Sequence, residues 1–228
     1  STTTGNPTIT TVAAADAVTI SAPISGTQTI FKTGPGTLNL TGSNTFTGIF
    51  QAEPVANSIV NVSGDQSLAT GGWRVRASTT VNFLSGSTVV TASGKEIAIA
   101  NESGGDHTLN VAGTVTNSGG LVVQARGILN INNGATWTQN GSINAASQNS
   151  AYNVQISVNT GVPSLLAGTN PISLSSSSGT GTGSSTLTLN GGTFTTSKAL
   201  NNSSTGTATT GASNLVFSNG GTLKLSAN

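Results

Sequence analysis

The chain has no cysteine and no methionine, and only 6 % of its 228 residues are charged. The missing cysteines exclude a disulfide framework and a thiolate metal site. Seven Lys and Arg against six Asp and Glu leave a formal net charge of +1. Seven scattered cations do not make the basic stripe that neutralises a phosphate backbone, which argues against nucleic-acid binding. So small a net charge gives no long-range steering toward charged partners. The residues that build the polar face of a long amphipathic helix are scarce, and no significant helix is expected. No run of 18 apolar residues occurs, so no helix is expected to enter a membrane. The first residue is Ser rather than Met, which fits a targeting segment already removed or an excised fragment.

What the chain does have is Thr, Ser, Gly and Asn, which together fill 123 of the 228 positions. Such richness is a usual mark of disorder, but here apolar residues recur with period two. Thr37-Leu38-Asn39-Leu40, Ile59-Val60-Asn61-Val62, Thr80-Val81-Asn82-Phe83, Glu96-Ile97-Ala98-Ile99 and Thr108-Leu109-Asn110-Val111 all alternate. So do Leu129-Asn130-Ile131, Thr186-Leu187-Thr188-Leu189 and Leu223-Lys224-Leu225. Alternation over four to six residues, bounded by Gly, Asn and Ser, predicts half-buried strands. Thr and Asn are the usual outward partners, and the branched Cβ of Thr suits a pleated surface. Residues 173–185 and 201–211 lack this pattern and are read as projecting loops within a single domain spanning 1–228.

The strands also repeat. A motif of small residue, Thr, apolar, polar recurs at Gly36-Thr37-Leu38-Asn39, Ser87-Thr88-Val89-Val90, Gly113-Thr114-Val115-Thr116 and Ala135-Thr136-Trp137-Thr138. It returns at Gly192-Thr193-Phe194-Thr195 and Gly221-Thr222-Leu223-Lys224. The Thr positions lie 51, 26, 22, 57 and 29 residues apart, and the long gaps are close to two short ones. A unit of roughly 22–29 residues holds two or three short strands and must stack on its neighbours to bury its apolar face. Asn133-Gly134, Asn190-Gly191 and Asn219-Gly220 supply turns that tolerate positive φ. The reading is an all-β parallel β-solenoid of about nine coils, a rod of roughly 40 Å at about 4.8 Å per coil. An antiparallel sandwich or barrel also has short strands and Gly/Asn turns, but the recurring motif at coil-like spacing favours the solenoid.

One segment carries a resemblance. Gly34-Pro35-Gly36-Thr37-Leu38-Asn39-Leu40-Thr41-Gly42-Ser43-Asn44-Thr45-Phe46-Thr47-Gly48 is similar to the autotransporter-associated β-strand repeat of bacterial surface and secreted proteins. The motif positions are Gly34, Gly36, Thr37, Leu38, Leu40, Gly42, Asn44, Thr45, Phe46, Thr47 and Gly48. After Gly48 the sequence Ile49-Phe50-Gln51-Ala52-Glu53-Pro54 departs from the Gly/Thr/Val strand that usually follows. The resemblance implies a right-handed parallel β-helix, export, and a place outside the cell or on its surface. It brings no catalytic residue and no cofactor.

Candidate chemistry is thin. The one local titratable cluster is Lys95, Glu96, Glu102, Asp106 and His107. Paired carboxylates cleave polysaccharides in some β-helices, but sparse charges on a β protein usually sit solvated at turns, and that reading is taken here. A lone His without a second His or a Cys gives little support to a metal. In Trp73-Arg74-Val75-Arg76 the Trp shares a face with Val75 and is expected in the core, with both Arg outside. Trp137 fills the apolar slot of its motif copy and is also expected inside, while Tyr152 is open between sugar stacking and packing. Thr-x-Thr pairs recur at 8–10, 27–29, 45–47, 114–116, 136–138, 186–188 and 193–195. A flat array of them would order water and bind ice, but the drifting coil length works against a regular array.

The expected function is therefore a non-enzymatic structural or adhesive solenoid, extracellular or on a bacterial surface. A surface glycan or host receptor is one kind of partner. The chain itself, joined end to end into a fibre, or neighbouring repeats of a longer chain are another. A glycan-cleaving β-helix and an ice-binding solenoid are the remaining alternatives.

Overall fold

Alternation sets the architecture. In Ser58–Val62 the side chains of Ser58, Val60 and Val62 are buried, while Ile59 and Asn61 face outward. The computed structural model describes all residues except 1–4, 54, 77, 100–104, 125, 133, 147–153, 160–164, 168–171, 176–184, 197–199, 202–212 and 226–228. Its described residues form strands and turns, with no helix. The strands stack into three parallel sheets, each coil adding one strand to a sheet and passing to the next.

Sheet I runs through Thr8–Thr10, Ile30–Thr33, Phe50–Ala52, Trp73–Val75, Ile97–Ile99, Leu121–Gln124, Ile143–Ala146, Ile172–Ser175 and Leu200–Asn201. Sheet II runs through Ala17–Ile20, Gly36–Leu40, Ser58–Val62, Thr79–Phe83, His107–Val111, Gly127–Ile131, Val154–Asn159, Ser185–Asn190 and Ser213–Ser218. Sheet III holds Asp65–Gln66, Thr88–Thr91, Thr114–Asn117, Thr136–Gln139, Leu165–Ala167, Thr193–Thr196 and Thr222–Leu225. This is a parallel β-solenoid. The expected coil count needs a correction: two sheets have nine strands and the third seven, so seven levels are three-sided among the described residues. At the first two levels the corresponding segments bond through Thr45 N–H to the Ile24 carbonyl and Thr47 N–H to the Gly26 carbonyl, both at 2.8 Å, without strand geometry.

Two further expectations change. Coil length varies more than foreseen: Ala17 pairs with Thr37, 20 residues on, and Val154 with Ser185, 31 residues on. The extra residues lie between strands, so the register within each sheet is kept. Five motif copies stack on sheet III, with Thr88 on Thr114 on Thr136, and Thr193 on Thr222. The copy at Thr37 belongs to sheet II instead, stacked on Ala17 and Ile59. A short Thr-apolar alternation suits either sheet, so the motif alone does not identify the face.

The first expected loop also shrinks. Residues 173–175 continue the strand Ile172–Ser175, in which Leu174 pairs with Ala145. Ser185 already opens Ser185–Asn190, and residues 176–184 lie outside the described residues. Asn201 ends Leu200–Asn201, and 202–211 lie outside them as well.

The core is a bundle of columns. On sheet II, Leu38, Val60, Val81, Leu109 and Leu129 stack in register, each at most 1 % exposed. Trp73 is buried against Phe46, Phe50 and Phe83, with ring centroids 5.7, 5.1 and 5.1 Å away. Trp137 is fully buried on sheet III. Offset and edge-on aromatic contacts of this kind add to what burial alone supplies.

Candidate functional site

The motif segment lies at the second level, and its residues hold neighbouring coils together. Gly34 and Gly36 have φ of 75° and 88°. A Cβ on Gly34 would strike the Thr11 carbonyl, and one on Gly36 the carbonyls of Ala13 and Asp16. Leu38 and Leu40 point inward, with Thr37 and Asn39 outward. Gly42 offers its carbonyl to Gln66 Nε2 at 2.8 Å. Asn44 is 1 % exposed, accepts from the Ile24 N–H at 2.8 Å and donates to Gln66 Oε1 at 2.6 Å. Phe46 enters the aromatic cluster between the exposed Thr45 and Thr47, and Gly48 lets the backbone pass close to Gln28.

The acidic cluster does not converge. Glu96 lies beside Arg74 of the previous coil, Oε1 to Nη2 at 3.1 Å. Asp106 lies beside Arg126 of the next coil, Oδ1 to Nε at 3.2 Å. Glu102 falls outside the described residues. His107 corrects an expectation: it is fully buried, not solvated, because it opens the strand His107–Val111 as the first inward position. Its Nδ1 lies 3.2 Å from the Gly105 carbonyl and its Nε2 3.2 Å from the Gln124 carbonyl. A neutral imidazole has one N–H and satisfies one of these; an imidazolium satisfies both. No group of three metal-ligating side chains forms among the described residues. The described members make inter-coil ion pairs and a corner hydrogen bond.

No family model, curated protein or solved structure matches this chain. The functional reading therefore rests on the surfaces of the rod itself.

Two features of those surfaces stand out. Along the outside of sheet II, Asn61 Nδ2 donates to Asn39 Oδ1 at 2.9 Å, Asn82 to Asn61 at 2.8 Å, Asn110 to Asn82 at 2.9 Å and Asn130 to Asn110 at 2.9 Å. An unbroken amide ladder thus joins five levels, and aligned amides polarise one another. Its signal was visible as Asn recurring in the outward slot of successive alternating strands. On sheet III, Thr114 and Thr116 stack on Thr136 and Thr138, Leu166 pairs next with Thr138, and Thr195 pairs with Leu166. Of the other Thr-x-Thr pairs, 8–10 lies on sheet I and 186–188 on sheet II. Arg74 faces outward beside the buried Trp73 and Val75, and Arg76 is half-exposed. Tyr152 falls outside the described residues.

Sequence reasoning missed the buried polar groups. Lys32 is fully buried in a sheet I column between Ile9 and Ala52. Its Nζ donates to Gly34 O at 2.7 Å, Thr11 Oγ1 at 2.8 Å, Thr33 O at 3.0 Å and Ser58 Oγ at 3.2 Å. Burial holds this amine below the usual lysine range. The corner between sheets III and I is lined by Thr91, Asn117 and Gln139, all fully buried and stacked. Thr91 donates to Asn117, Asn117 Nδ2 to Gln139 Oε1 at 2.9 Å, and Gln139 Nε2 to the Gly119 carbonyl at 2.8 Å. Lys32 follows the adjacent apolar pair Ile30-Phe31, and nothing local marks it as inward.

Proposed function

We propose that the chain is a non-enzymatic structural and adhesive rod working outside a bacterial cell or on its surface. The observation that carries this reading is the register. Level after level, two inward columns of sheet II stack apolar on apolar, and one outward column stacks Asn on Asn as the amide ladder. A stack of that kind spaces and presents surfaces at fixed intervals. The motif resemblance at residues 34–48 supplies the extracellular setting. The test is antibody labelling of intact, unpermeabilised cells of the native source, with electron microscopy of the labelled structures. Surface labelling on extended rods is the expected result. Labelling that needs permeabilised cells overturns the proposal.

A second reading rests on sheet III. The threonines of its strands stay in register although coil length drifts, because the drift falls between strands. Register therefore supports an ordered-water face over Thr114, Thr116, Thr136 and Thr138, a patch bounded by Val90 and Leu166. Ice shaped by the purified chain, and unshaped after Thr136→Leu, is what this reading requires; unshaped ice with the parent chain ends it.

A further inference from the structure

Asparagine is abundant in this chain, and it is a chemically labile residue. When glycine follows it, no side chain hinders that glycine's backbone nitrogen, and attack on the asparagine amide is intramolecular. Among the described residues Asn140, Asn190 and Asn219 precede glycine. The fold treats them differently. At Asn190 the attacking group is engaged: the Gly191 N–H donates to the Ser218 carbonyl at 2.9 Å. Asn190 Oδ1 accepts from Ser218 Oγ at 3.1 Å and from Asn219 Nδ2 at 2.6 Å, so the amide of Asn219 is held as well. Asn140 is exposed, and its Nδ2 lies 3.5 Å from Ser118 Oγ, at the outer limit of a hydrogen bond. The Gly141 N–H has no hydrogen-bond partner among the described residues.

We infer that Asn140 is a site of spontaneous conversion to aspartate and isoaspartate, and that the isoaspartyl product loosens the corner between sheets III and I. Gly141 N gives up its proton and forms a bond to Asn140 Cγ. The Cγ–Nδ2 bond breaks, and Nδ2 leaves with that proton as ammonia. Water then adds to one of the two carbonyl carbons of the cyclic imide. Opening on one side gives aspartate. Opening on the other carries the main chain through Cγ and lengthens it by one methylene group.

The corner has no slack for that length. The Asn140 N–H is tied to the Asn117 carbonyl at 2.8 Å. A Cβ on Gly141 would lie 1.9 Å from the Gly119 carbonyl oxygen, so the two coils meet here through bare backbone. The same oxygen accepts from the buried Gln139 Nε2 at 2.8 Å. Displacing Gly141 therefore reaches the buried polar column. The new carboxylate also brings charge into residues 127–197, which carry none.

The test holds the full folded chain at mildly alkaline pH and samples it by peptide mapping with mass spectrometry, beside a second sample kept in urea. In the folded sample Asn140 should convert several-fold faster than Asn190 and Asn219. In urea only the shared Asn-Gly sequence remains, and the three rates should draw together. Conversion at Asn140 no faster than at Asn190 in the folded chain, or none there while the urea sample reacts, overturns the inference. The isoaspartyl fraction should melt below the parent. Asn140→Asp, which carries the charge without the added length, should melt close to the parent. An isoaspartyl fraction that melts with the parent overturns the loosening. No outcome depends on where the chain works, so failure here is distinguishable from failure of the rod reading.

Discussion

Sheet II and the corner between sheets III and I are built by opposite rules. Inside sheet II two of the three inward columns stack apolar residue on apolar residue and need no individual arrangement, while the third, at the strand starts, holds Ser58, Thr79 and His107. Inside the corner the stacked residues are Thr91, Asn117 and Gln139, each bonded differently. A straight sheet pairs its own backbone, so its interior side chains have only volume to supply. A turn leaves backbone groups unpaired in the interior, and buried polar groups are costly unless bonded. The faces of this solenoid are thus made by repetition, and its corner by side chains that differ from level to level.

Leu109→Ala should separate the two rules most strongly. It removes most of a fully buried side chain from mid-column, at a cost of about 2–5 kcal/mol, read from the urea midpoint. Asn117→Ala comes next. It strands the Gly119 N–H and takes one of the donors from the Gly120 carbonyl and from Gln139 Oε1, a loss of about 1–3 kcal/mol. Should Asn117→Leu restore stability to the parent value, volume and not hydrogen bonding governs the corner, and the contrast collapses.

Lys32 mixes the rules, being a polar residue in an otherwise apolar column. Its folded amine titrates below the unfolded one. Between those two values the unfolded chain holds the extra proton, so stability rises with pH there and is flat once both forms are neutral. Lys32→Met should cost about 1–3 kcal/mol at neutral pH, because the Gly34 carbonyl loses its donor and the Thr33 carbonyl one of its donors. Its deficit should widen as pH climbs toward the ordinary lysine range. Melts at stepped alkaline pH report this, and a deficit that stays constant or narrows refutes the assignment.

The same contrast explains what could be read in the sequence. Period-two alternation located the strands of sheet II and put Trp73, Trp137 and the outward Arg74 where they lie, because a face of repeated chemistry leaves a repeated pattern. The motif at Thr37 was set in the wrong column, since a Thr-apolar alternation carries no mark of which sheet it joins. The cluster around Glu96 looked local, but the stack brings Arg74, 22 residues away, to 3.1 Å from its carboxylate. Buried Lys32, Asn117 and Gln139 were not legible: their role depends on carbonyls delivered by turns of other levels.

Asn82→Ala tests the outside of sheet II. It cuts the amide ladder at its centre, losing the bonds to Asn61 and from Asn110. Two half-exposed bonds together are worth about 1–2 kcal/mol. Asn130→Ala, which gives up the bond to Asn110 and keeps the four-residue remainder intact, should cost about half as much. Equal effects at centre and end would show that the amides act singly and not as one ladder.

Glu96→Ala should have the smallest effect. Its ion pair with Arg74 joins two coils at 3.1 Å, but the partners' side chains are 39 % and 42 % exposed. Exposed pairs contribute about 0–1 kcal/mol, and added salt erodes even that. The parent and the variant should therefore converge in high salt and differ slightly in low salt. A larger loss that persists in high salt would mean that Arg74, once freed, is held against the sheet without water. The charged side of the rod would then follow the rule of the buried corner and not that of an open face.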